Sequence, residues 1–116
     1  MAYDEPLAGR VRRLLEQRRD VTEKKMFGGL SFLLDGKMCC GILREDLVVR
    51  VGREREAAAL RDPHARAMDF TGRPMPGMVY VSPAGCRSEA ALRKWVQRGV
   101  DFAASVPPKP RRARKR

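Results

Sequence analysis

Apolar positions recur at helical spacing near both ends of the chain and at strand spacing between them. Near the N-terminus Leu7, Val11, Leu14 and Leu15 share one stripe, which predicts a helix from about Glu5 to Arg19. Asp4 suits its N-cap, Pro6 is tolerated in the first turn, and Arg18 and Arg19 suit the negative end of the helix dipole. Arg10, Arg12, Arg13 and Arg19 decorate the polar side and read as a solvated face. The pattern after Ser88 is stronger. Ser88 as N-cap and Glu89 in the first turn lead into Leu92, Trp95, Val96, Gly99, Phe102, Ala103 and Val106. That stripe can cover a sheet face, with Gly99 allowing close approach, and Pro107-Pro108 stops the helix.

Between these helices the period changes to two. Within Lys24 to Leu43, KKMFGGLSFLLDGKMCCGIL, two apolar runs flank Asp35-Gly36, a pair that readily takes the positive φ angles of a hairpin turn. Leu30, Phe32 and Leu34 alternate with Ser31 and Leu33, then Met38, Cys40 and Ile42 alternate with Cys39, Gly41 and Leu43. Gly28-Gly29 marks a bulge, a bend or a close backbone approach, and a bend there lets Phe27 and Leu30 both pack. After the polar turn Arg44-Glu45-Asp46, Leu47 to Val51 predicts a third strand, with Arg50 facing solvent or a carboxylate. Arg53 to Leu60 reads as a short helix at the domain edge, closed before Asp62-Pro63. Met68-Asp69-Phe70 begins a fourth strand, Thr71 to Gly77 a turn-rich loop, and Met78 to Val81 a fifth strand. The expected order is α-β-β-β-α-β-β-α. This is an α+β two-layer sandwich with a five-strand antiparallel sheet and helices mainly on one face.

Composition adds a charge asymmetry. The net charge is +11, and Lys109, Arg111, Arg112, Arg114, Lys115 and Arg116 place six cations in the last eight residues. Residues 1–106 read as the folded domain and 107–116 as a disordered basic tail. Such tails attract nucleic acid by counterion release, and those six residues are the candidate nucleic-acid contacts. No run approaches the roughly 18 apolar residues of a membrane span, and the N-terminus lacks an apolar secretory core. A cytoplasmic protein without membrane contact is the expectation. Three cysteines, two of them adjacent, make a poor disulfide framework. In a regular strand Cys39 and Cys40 would point to opposite faces, as small apolar fillers.

The inventory of reactive groups argues against an enzyme. There is no G-x-S-x-G, no P-loop and no G-x-G-x-x-G opening a helix. His64 reads as an exposed loop residue, and Asp69, at a strand–loop border, as a turn anchor. No catalytic residue, cofactor or metal is expected.

KKMFGGLSFLLDGKMCCGI (Lys24 to Ile42), LVVRVG (Leu47 to Gly52), MDFTGRPMPGMVYV (Met68 to Val81) and a last helix ending in FAASVPPK resemble the N-terminal domain of the TfoX/Sxy family. The resemblance runs from about Tyr3 to Lys109. It implies an α+β fold similar to secretion-chaperone-like folds. Full-length members are bacterial regulators of natural competence that act with a cyclic-AMP-responsive activator at promoters. A second, helical domain of theirs would begin where this sequence turns into its basic tail. Lys25, Phe27, Gly28, Gly29, Asp69, Gly72 and Arg73 are the candidate family-motif or interaction residues. The expectation is a non-enzymatic regulatory domain binding a protein partner, the transcription machinery or such an activator, with auxiliary non-specific nucleic-acid contact through the tail. The alternative is a protein-interaction or homodimer module without a nucleic-acid role. A third reading places a small-ligand cleft near Phe27 or Arg73.

Overall fold

The computed structural model describes residues 3–26, 28–70 and 72–106. The first helix, α1 (Glu5–Leu15), starts as its sequence dictates, with the Asp4 carboxylate accepting from the Leu7 backbone N–H at 3.1 Å. It ends before the expected Arg19, because no apolar side chain continues the stripe past Leu15. Arg13 is exposed as expected, but two other arginines of the helix are not simply solvated. Arg12 pairs with Glu23 at 2.6 Å, and Arg10 reaches Glu89 and the Arg87 carbonyl.

Four strands follow: β1 (Val21–Met26), β2 (Gly29–Leu34), β3 (Lys37–Leu43) and β4 (Asp46–Arg50). The helix α2 (Arg53–Ala59), β5 (Ala65–Phe70), β6 (Arg73–Val81), a 3₁₀ turn at Pro83–Cys86 and α3 (Glu89–Ser105) complete the described residues. The fold is α+β, as expected, but the antiparallel sheet has six strands, in the order β1-β2-β3-β4-β6-β5. The added strand is β1. Its sequence, VTEKKM, carries little apolar alternation because it lies at the sheet edge with one neighbour, and residues 22–25 are exposed. Gly28-Gly29 is therefore not a bulge within a strand. Gly28, at φ +78°, belongs to the tight turn joining β1 to β2, a conformation that favours glycine.

The second hairpin is also tighter than expected. Phe70 pairs with Arg73, so most of the Thr71–Gly77 stretch is strand β6 rather than loop. Between the Ala67–Val79 and Asp69–Pro74 pairs, β6 carries more chain than β5. Pro74 and Pro76 fit that irregularity because a bulge interrupts the hydrogen-bond ladder that a proline cannot join.

A third departure lies in the centre of the sheet. Phe32 pairs with Cys40 and Leu33 with Met38, leaving Cys39 as the extra residue of a bulge. The expected opposite orientation of the two cysteines fails for that reason. Both are fully buried in the same core, with their sulfurs 3.9 Å apart.

That core lies between the sheet and the helices, joining Leu7, Val11, Phe32, Ile42, Leu47 and Val49 to Leu92, Trp95 and Val96 of α3. α3 sits directly on β3, and a Cβ at Gly99 would run into the Cys39 carbonyl oxygen. Its start follows the sequence, with Ser88 Oγ accepting from Ala91 N at 3.1 Å. Ala59 is the buried residue of α2.

Candidate interaction surface

The opposite face of the sheet carries a second apolar cluster built from strand residues. Strand alternation places Val48 of β4 beside Tyr80 of β6, and Met78 next along β6 on the same side. With Met68 they are buried, each at 9 % exposure or less, although all come from strands. Met38, Leu43 and Met75 pack half-buried against them, and Leu33 pairs with Met38. The cluster thus closes over itself through long side chains, with half-buried methionines and a leucine at its margin.

Its polar end is organised around Arg66. The guanidinium lies 4.7 Å from the Tyr80 ring centre and 2.7 Å from an Asp46 carboxylate oxygen. Tyr80 in turn donates its hydroxyl to the Asp69 carbonyl at 3.1 Å. These residues, with Leu43 and Arg44, line a small cleft of about 280 Å³. The exposed Lys24 of β1 belongs to the same sheet face, since it pairs with Ser31. Arg50 shares β4 with these residues, yet its guanidinium lies 5.0 Å from the Phe102 ring centre rather than in solvent or on a carboxylate.

The motif residues of the sequence are not gathered in one place. Gly28 and Gly29 form the β1–β2 turn at one sheet edge, with Lys25 exposed on β1. Gly72, at φ +80°, and Arg73 form the β5–β6 turn at the other edge. The alternating strand directions put these two turns at opposite ends as well as opposite edges. They sit at diagonal corners of the sheet and serve its two outer hairpins. Gly29 has a further task, since a Cβ there would run into the Ile42 carbonyl oxygen. Among the described candidates, Asp69 adjoins the strand-built cluster through Tyr80. Phe27 and the tail residues 107–116 lie outside the described residues.

Hydrogen bonding with Cys40 favours Cys39 as the first of that pair to ionise, and the same bond, with burial, pushes the Cys40 thiol up. Burial pushes Cys86 up to about 11. The two raised thiols, Cys40 and Cys86, are poor nucleophiles at neutral pH. Among the described residues no group of three or more His, Cys, Asp or Glu is placed to hold a metal ion. No helix of the described residues is long and apolar enough to cross a membrane.

Comparison with known families identifies the scaffold. The sequence pattern of the TfoX N-terminal domain matches residues 13–103. The chain belongs to the TfoX N-terminal domain family. The match spans every strand, α2 and most of α3 but only the last residues of α1, so the six-stranded sheet lies wholly within the family domain. No curated protein and no solved structure matches this TfoX N-terminal domain significantly. The helix-free cluster was obscured in the sequence. Its one signal is the apolar character of both alternation sets in Leu47–Val49 and Met78–Val81, which asks for burial on two sides of the sheet.

Proposed function

We propose that this TfoX N-terminal domain is a non-enzymatic regulatory module that docks a partner protein on the helix-free face of its sheet. The observation that carries the reading is the strand-built cluster of Val48, Met68, Met78 and Tyr80, with Met38, Leu43 and Met75 half-buried at its margin. Methionine adapts its shape to what it touches, which suits a contact surface. The exposed cations Lys24 and Arg44 at the rim, which take part in no ion pair among the described residues, favour an acidic, apolar-faced segment of the partner. A transcription-machinery component or a cyclic-AMP-responsive activator is the partner class that the family suggests. Two copies of this rim would repel each other, which disfavours a homodimer through this face.

The basic tail supports a second, auxiliary role. Six cations in the last eight residues favour non-specific contact with nucleic-acid phosphates. The sheet face is poorly suited to that task, since Arg66 already occupies the Tyr80 ring.

Affinity capture from native bacterial lysate, with and without nuclease, tests both roles. The full chain retains a partner protein irrespective of nuclease, whereas a Met38→Glu, Leu43→Glu variant of unchanged thermal stability loses it. Retention by that variant would sink the docking face. Residues 1–106 alone should lose salt-dependent DNA binding, and unchanged binding would remove the tail from the account.

A further inference from the structure

We propose that the cleft between α2 and α3 binds a small amphipathic anion, an organic carboxylate carried on an acyl or aromatic body. The cleft measures about 540 Å³ and lies on the helix side of the domain, away from the docking face. Its size is that of ordinary small-ligand sites. The floor is apolar, with Val51 and Ala59 buried and Phe102 half-buried. Its shape depends on one residue: a Cβ at Gly52 would meet two carbons of the Phe102 ring at 2.6 Å. Any side chain at position 52 would displace the ring that forms the floor.

Charge supplies the second half of the argument. Arg53, Arg55 and Arg98 line the cleft, and none of them takes part in an ion pair among the described residues. Arg98 stacks on the Trp95 ring at 4.5 Å, which holds the guanidinium in place while leaving its edge N–H groups free to donate. Asp101, one of two carboxylates in the lining, already accepts from Gln97 Nε2 at 2.8 Å. Arg50 brings a further cation to the Phe102 ring. A carboxylate is the natural acceptor for an oriented guanidinium, and the apolar floor takes the body attached to it. A bare inorganic anion would leave the floor wet, and a neutral apolar molecule would leave the guanidiniums without an acceptor.

Two carboxylates, octanoate and phenylacetate, are the probes, titrated separately into the full nitrogen-labelled chain and followed by amide NMR. At least one should give saturable shifts centred on Gly52, Ala58 and Phe102, and the one that saturates tells acyl from aromatic. Ala58 is exposed and lines the cleft, whereas Ala57 is exposed and does not. Ala58→Trp should therefore fill the site and abolish the shifts, with Ala57→Trp leaving them intact. Arg98→Glu should weaken binding about tenfold or more, the loss expected for one charge-assisted contact. Octanol should fail to saturate. Shifts scattered over the surface, an Ala58→Trp variant that titrates like the parent, or octanol binding as tightly as octanoate would each overturn the proposal. Because lysate capture reads the opposite sheet face, failure here leaves the docking assignment standing, and the converse holds too.

Discussion

The two faces of this sheet are packed by different kinds of residue. Towards the helices the strands present Leu30, Phe32, Ile42, Leu47, Val49 and Val79, which are branched or aromatic and have few rotamers. On the other side stand Met38, Met68, Met75 and Met78, four of the six methionines of the chain. Rigid side chains interdigitate in one arrangement and so specify how α1 and α3 seat. Methionines fill space in several arrangements at similar energy, so that face can refit around a contact. The comparison separates two tasks within one sheet: the helix side specifies the fold, and the strand-only side stays adaptable.

The sharpest way to break this division is to truncate one large buried residue on each face. Phe32→Ala should cost about 3–5 kcal/mol in urea unfolding, since the ring is buried and its surroundings are fixed. Met78→Ala, on the other face, should cost about 2 kcal/mol, because neighbouring methionines collapse into the gap. A Met78 loss equal to that of Phe32 would erase the distinction. Next in size is Gly99→Ala, at about 1–3 kcal/mol, because the new methyl drives α3 off the Cys39 carbonyl. Gly9→Ala is the control for added helix propensity. Nothing lies within 4 Å of a Cβ there, so it should stabilise by about 0.5–1 kcal/mol. If Gly99→Ala proved equally benign, the close seat of α3 would be wrong.

A pH experiment probes the helix side from another direction. Cys86 is buried there with its thiol pushed up to about 11, above the roughly 8.5 of an unfolded cysteine. Its contribution is complete below pH 8.5. Above that the unfolded chain releases the proton while the folded one keeps it, so stability falls by about 1 kcal/mol per pH unit until pH 11. Cys86→Ala should reduce that slope between pH 9 and 10.5 in chemical denaturation, with Cys40 supplying part of what is left, and an unchanged slope would place the loss elsewhere. The smallest effect on stability is expected from Leu43→Glu, about 1 kcal/mol or less at its half-buried site. A loss above 3 kcal/mol there would mean that the adaptable face is core after all.

The helices and the central hairpin were legible because each carries redundant signals. Ser88 caps a stripe of apolar residues at helical spacing, and Asp35-Gly36 supplies both positive φ angles of its turn. β1 was hidden because an edge strand with one neighbour can be almost wholly polar. The β5–β6 hairpin is concealed because Pro74, Pro76 and Gly77 look like loop when a bulge also accommodates them. The strand-only cluster draws on β3, β4, β5 and β6, so its existence depends on strand order, which no local pattern contains. The α2–α3 cleft likewise unites Gly52 and Phe102, distant in sequence and neutral in local propensity.

The two outer strands have a consequence for solubility. A sheet with one face bare of helices is exposed to association, and its open edges are the usual route to fibre growth. β1 meets that hazard with exposed Glu23, Lys24 and Lys25, and β5 with exposed Arg66 and Asp69. An incoming strand would have to strip water from these charges before its first backbone bond formed. The polar residues that concealed β1 in the sequence therefore act as gatekeepers, keeping the sheet from templating an endless ribbon of its own kind.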